Sequence, residues 1–210
     1  MGKSSFILNK IPPSIYQMPA QKTTREEIIE KAIQIFRQQG YHKTSMSDLA
    51  AACGLQKGSF YHYFKNKEAL MEAVLERLHQ YYHKKVFSIA YEKDKSAEER
   101  FIALFEKQEP IISGDFSGCL FGNMTLENSS HQVNFNELLK AFFSDWQAAF
   151  QELYQENHSS EVALTLAKQS VAEVEGALML MRLYEDRSYL TAACQRILAR
   201  LRQGEQQEAS

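Results

Sequence analysis

The sequence predicts an all-α chain: an N-terminal helix-turn-helix head of three helices, joined by a long helix to a C-terminal helical bundle. Three observations predict it. Apolar residues recur three and four apart over long stretches, with no series of alternating β-branched runs to compete with them. Capping residues mark successive helix starts, at Thr24 with Glu27, Ser45 with Asp48, Asn66, Ser96, Asn134 with Glu137, and Ser188. Only four Pro and nine Gly punctuate 210 residues, and 44% apolar content suits a globular chain rather than a disordered one.

Residues 1–22 lack helical periodicity and contain Pro12, Pro13 and Pro19. Lys3 and Lys10 flank an apolar patch, Phe6 to Leu8, that is too short for a signal peptide or a membrane span. Two readings stay open for this stretch: a flexible tail, or a basic arm that reaches an adjacent DNA groove. The first helix buries Ile28, Ala32, Ile35 and Phe36, Gly40 stops it, and Tyr41 plugs the core of the head. The second buries Leu49, Ala50 and Cys53 and ends at Gly54, a residue that tolerates positive φ. Leu55 anchors the turn, and a third helix is expected from about Gln56 to Tyr63. Asn66 opens the long connecting helix, which presents Leu70, Val74, Leu78, Tyr81 and Tyr82 to the interior. The expected division is a head over residues 23–70, a body over 71–205 and a polar tail over 206–210.

In the body, Ser96 opens a helix through Phe101, Leu104 and Phe105, which Pro110 is expected to interrupt. A short segment with Gly118 and Gly122 follows. Asn134 then opens a helix carrying Leu138, Phe142, Trp146 and Phe150 about one turn apart. A long helix spans about Ser160 to Tyr184, with small residues Ala172 and Gly176 that permit close approach of another helix. Ser188 caps a last helix with Leu190, Ile197, Leu198 and Leu201 on its apolar side, and Gly204 is expected beyond its end.

The third helix has an unusual make-up. Gln56, Lys57, Gly58, Ser59, Tyr61, His62 and Tyr63 are small or hydrogen-bonding, while Phe60 and Phe64 stand four apart and can face a core. Gly58 costs about 1 kcal/mol relative to Ala inside a helix, which a helix can accept where it must approach something closely. The second helix of a helix-turn-helix enters a DNA major groove. A core helix with a wetted outer face is the alternative.

The run from Arg25 to Leu70 resembles the DNA-binding domain of tetracycline-repressor (TetR) family regulators, through REEIIEKAIQIFRQQGY, KTSMSDLAAACGL and, most specifically, KGSFYHYFKNKEAL. Gln56 departs from the pattern, since such proteins usually place a Ser or Thr cap there. The resemblance implies that Thr44, Lys57, Tyr63 and Lys67 contact phosphates and that Gln56, Ser59, Tyr61 and His62 lie nearer the bases. Ser45 and Gly58 complete the expected DNA-binding set. The second half is similar to the ligand-binding and dimerisation domain of the same family, through GCLFGNMTLE, FFSDW and EGALML. That similarity implies a homodimer in which the last two helices pair with their copies as a four-helix bundle, a small-molecule effector and a palindromic or near-palindromic double-stranded operator. The broad apolar faces of those helices fit a two-fold dimer independently.

Phe101, Phe105, Phe121, Met124, Trp146 and Phe150, with Met179 and Met181, are candidate pocket walls, and core filling is the alternative for each. Glu175 and Arg182 lie on a helix that otherwise reads as buried and are candidate polar groups of the pocket, or else surface residues. Cys119, between two glycines, is a candidate pocket residue and a candidate covalent sensor of oxidants or electrophiles, or else an inert buried thiol.

Net charge is −2, but it divides unevenly: residues 1–70 hold ten Lys/Arg against five Asp/Glu, which leaves fourteen against twenty-one over the rest. A basic head on an acidic body attracts DNA at one end only. Three separated cysteines make neither a zinc framework nor a disulfide pattern and fit a reducing cytoplasm. His79 and His83, four apart, have metal-binding spacing but no evident third ligand nearby, so they read as solvated or packing residues. No nucleotide-binding Gly-rich loop, no G-x-S-x-G elbow and no cofactor motif is present, so the chain is not expected to be an enzyme. Beside a DNA-binding repressor released by a small apolar or aromatic effector, two other readings remain: a redox sensor acting through Cys119, and a helical interaction protein that does not read DNA.

Overall fold

The computed structural model of the chain describes residues 23–112, 118–127 and 135–207. Its helices are α1 (Arg25–Gln39), α2 (Met46–Ala52), α3 (Lys57–Tyr61), α4 (Lys67–Tyr81), α5 (Ala97–Ile112), α6 (Leu120–Glu127), α7 (Asn136–Tyr154), α8 (Ser160–Tyr184) and α9 (Ser188–Gln207). The described residues contain no strand. The N-terminal arm, the Asn134 cap and the end of the tail lie outside the described residues.

Local chemistry sets the head. Thr24 with Glu27 and Ser45 with Asp48 form reciprocal capping boxes that satisfy the free amides at the starts of α1 and α2. Gly40 and Gly54 take φ of 82° and 67°, turning the chain after α1 and α2 at positions where a side chain would be strained. Ile28, Ala32, Phe36, Tyr41, Leu49, Phe60, Phe64, Leu70 and Val74 are buried in the head's part of a core that continues into the body, so the first turns of α4 pack with the head. Asn66 caps α4 through the Ala69 amide.

The connection to the body is less regular than its sequence suggests. Instead of one long helix, α4 gives way to a π-turn over Tyr82–Val86 and a 3₁₀ segment over Phe87–Tyr91. Residues five apart stand about 140° apart around an α-helix; the wider turn lets Tyr82 and Phe87 both reach Phe142, with ring centroids 5.3 and 5.6 Å away. Tertiary packing of aromatic rings overrides local helix geometry here.

In the body, α7 and α8 make the most extensive helix pair, α9 lies on α8, and α5 packs against α7 and the 3₁₀ segment. Buried Arg100 donates to the Ala90 and Ser96 carbonyls and pairs with Glu156. The Tyr154 hydroxyl shares a 2.8 Å hydrogen bond with Ser170 Oγ, and Arg200 bonds both Ser170 and Glu173. Four local expectations are corrected. Pro110 does not interrupt α5, which runs on to Ile112, because a missing N–H in the final turn removes one bond without ending the helix. Gly204 lies inside α9, which continues to Gln207. α7 starts at Asn136, with Phe135 at its cap and no side-chain cap bond. α3 is five residues long, shorter than expected.

Phe142 is the packing hub of the body. It touches the rings of His79, Tyr82, Phe87, Phe121, Phe143 and Trp146, and it stacks on Phe121 at 3.6 Å. Phe142→Ala should therefore cost about 3–5 kcal/mol, read as a lower urea midpoint, and Phe142→Leu clearly less. A loss below about 1 kcal/mol for the Ala variant would show that neighbouring rings collapse to fill the site.

Candidate DNA-binding surface and pocket

The helix-turn-helix is α2, the turn Cys53–Gln56 and α3. Leu55 donates its N–H to the Ala50 carbonyl and fixes the turn, and buried Phe60 and Phe64 pin α3 from beneath. Gln56 takes the N-cap position of α3 without a side-chain cap bond, as its residue type implies. Pinned in this way, α3 turns Gln56, Lys57, Gly58, Ser59, Tyr61 and His62 to the exterior.

The remaining residues of the expected DNA-binding set are held within the head. Thr44 is 1% exposed and donates its hydroxyl to the Gly40 carbonyl. Tyr63 donates its hydroxyl to the Thr23 carbonyl at 2.7 Å. Lys67 Nζ donates to the carbonyls of Tyr41 and Thr44 and lies 4.2 Å above the Tyr41 ring. Ser45 is exposed, with its hydroxyl bonded to Asp48. These contacts order the edge of the surface that α3 presents.

A pocket of about 460 Å³ lies between α6 and α8, a volume in the range of small-molecule sites. Of the expected set, Cys119, Glu175 and Met179 line it, together with Arg182. Phe101, Phe121, Met124, Trp146 and Phe150 are buried core instead, and Phe105 packs against that core. A Cβ on Gly122 would meet Glu175 Oε2 at 2.2 Å, so the absence of a side chain there is what lets the carboxylate lie over α6. Glu175 Oε1 is buried with no hydrogen-bond partner.

Burial pushes the Glu175 carboxyl above the usual carboxylate range, against the opposing pull of the Cys119 thiol. Burial, then the charge of Glu175, pushes the Cys119 thiol well up. Burial also raises Cys53, and it raises Cys194 to about 12. His79 Nε2 and His83 Nδ1 both bond Asp145 Oδ2, at 2.8 and 2.9 Å, a partner from α7 that sequence spacing does not reveal. Among the described residues no group of three or more His, Cys, Asp or Glu could hold a metal ion, and no helix is long and apolar enough to cross a membrane.

The raised Glu175 carboxyl has a measurable consequence. The folded state binds its proton more tightly than the unfolded state does, so the ionised form opposes folding above the folded pKa, and this penalty vanishes below the unfolded pKa. Glu175→Gln should raise the melting temperature at about pH 7.5, with the gain shrinking to nothing towards about pH 4. A gain that is independent of pH would mean that packing, not ionisation, separates the two proteins.

Comparison with known proteins agrees with this architecture. The family described as "Bacterial regulatory proteins, tetR family" matches residues 28–74. The domain described as "Transcriptional regulator LmrA/YxaF-like, C-terminal domain" matches residues 105–196. The transcriptional repressor DhaR of Mycobacterium sp. (strain GP1) is 30% identical over 178 residues, covering 81% of this chain and 88% of its own. The uncharacterised regulator YxaF of Bacillus subtilis (strain 168) is 27% identical over 189 residues, covering 86% and 96%. A TetR transcriptional regulator from Legionella pneumophila superposes with a TM-score of 0.77 at 27% identity, covering 83% of this chain and 95% of that one. With a helix-turn-helix head, an all-α body and these relatives, the chain belongs to the TetR family of DNA-binding transcriptional regulators, which are not enzymes.

Proposed function

We propose that this protein is a homodimeric, cytoplasmic repressor that grips a near-palindromic operator through α3 and releases it when a small apolar or aromatic effector occupies the pocket between α6 and α8. One observation carries the DNA-binding part: α3 buries Phe60 completely while Gln56, Lys57, Ser59, Tyr61 and His62 all face outward. A helix anchored through one aromatic and otherwise covered in hydrogen-bonding groups suits insertion into a groove. The relative DhaR is named a repressor.

The α8 surface supports the dimer. Val162 and Leu183 are 45% and 68% exposed, and small Ala172 is exposed on the same helix, so a second copy of α8 can approach closely. The pocket supports reversible effector binding rather than covalent sensing at Cys119. A thiol raised by burial and by a neighbouring carboxylate holds little thiolate, and the thiolate is the nucleophile. The exposed, polar α3 also argues against an interaction protein that has lost DNA reading.

Of the two lysines expected to contact phosphates, Lys57 is exposed on α3, while Lys67 bonds carbonyls within the head. Lys57→Ala should weaken binding to all DNA sequences about equally and lower the salt dependence by about one unit of slope. An unchanged slope in gel shifts across salt would remove Lys57 from the phosphate contacts. Leu183→Glu should convert the dimer to monomer in sedimentation and abolish tight operator binding, because two half-sites about 34–36 Å apart must be held together. A Leu183→Glu dimer that still binds the operator would refute the α8 interface.

A further inference from the structure

We propose that Glu127 is a positioning residue that couples the pocket wall to the DNA-binding head by clamping the turn between α1 and α2. This inference rests on the pocket being the effector site, and it adds a second link beside α4.

The geometry is direct. Cys119, Gly122, Asn123 and Leu126 place α6 along the pocket. Glu127, the last residue of the same helix, ends at the head. Its Oε2 accepts the backbone N–H groups of Tyr41 and His42 at 2.9 and 3.1 Å. Its own carbonyl meets His42 Nε2 at 3.0 Å. Gly40 makes room for the carboxylate: a Cβ there would stand 3.0 Å from Oε1, and the φ of +82° already excludes ordinary side chains. The Phe135 ring, at the start of α7, meets the Tyr41 ring edge-on at 5.9 Å.

The clamped turn matters to DNA reading because it is tied forward into the helix-turn-helix. Lys67 bonds the carbonyls of Tyr41 and Thr44, and the Thr44 hydroxyl bonds the Gly40 carbonyl. The next residue, Ser45, is the N-cap of α2. Two successive amides that follow the end of α1 have no helical acceptor of their own, so one oxygen from the body satisfies both. An eight-residue α-helix is about 12 Å long and too short to bend appreciably. A ligand that shifts α6 against α8 therefore displaces the Glu127 carboxylate from the turn, and the turn carries α2 with it.

The test needs no identified effector. Gly122→Leu introduces a side chain into the pocket against Glu175 and serves as the wedge. The DNA probe is the fragment that the wild-type protein selects from a genomic library. Amide exchange over residues 40–45, read by mass spectrometry, should quicken about tenfold in Glu127→Ala and in Glu127→Asp, whose carboxylate falls one carbon short. Glu127→Gln should stay near wild type, because its carbonyl oxygen can accept both amides. Gly122→Leu should weaken operator binding about tenfold in the wild-type background and less than twofold beside Glu127→Ala, the signature of a shared path. Unchanged exchange in both the Ala and Asp variants, or an equal effect of Gly122→Leu in both backgrounds, would overturn the coupling. If the wild type selects no DNA, the repressor reading fails, while the exchange measurement still decides the Glu127 clamp.

Discussion

The structure depends on the packing around Phe142. This ring receives side chains from the end of α4, from both irregular segments that follow it, from α6 and from its own helix. Through it the exit of the head, the pocket-bearing helix and the body meet in one place. Close-packed interiors transmit displacement rather than absorb it. The π-turn at Tyr82–Val86 is the cost of this arrangement, since a regular helix would carry Phe87 away from the hub.

The same constraint explains why the aromatic residues of the body do not form a wide pocket. Phe101, Phe121, Trp146 and Phe150 are all nearly inaccessible, so they act as mutual core. The cavity that remains lies to one side, where Gly118, Gly122 and Gly176 withhold side chains between α6 and α8. Its polarity comes from Glu175, whose buried oxygen is costly without a partner and so favours an occupant that supplies one.

In the head, stability and function are separated by face. A helix of five residues does not persist on its own, and α3 is held by Phe60, by Phe64 and by the Leu55 turn bond. Its outer residues are therefore released from any structural duty. The turn between α1 and α2 is the opposite case: the N–H groups of Tyr41 and His42 are held by the body through Glu127, and the carbonyls of Gly40, Tyr41 and Thr44 are held within the head through Thr44 and Lys67.

Sequence alone determined the helical class, the two capping boxes, the Gly40 and Gly54 stops and the exposed polar face of α3, because each of these is set by residues within one turn of one another. The head was legible for that reason, and its family resemblance was strongest there. Tertiary structure decided what depends on residues far apart in the chain. Asp145 meets two histidines more than sixty positions away, and Glu127 meets a turn eighty-five positions away. Phe101 and Cys119 both looked like pocket walls, yet one is core and the other lines the cavity. Periodicity marks a side chain as inward-facing; which neighbour it meets there, another ring or an open space left by glycines, is fixed only when helices from different parts of the chain pack together.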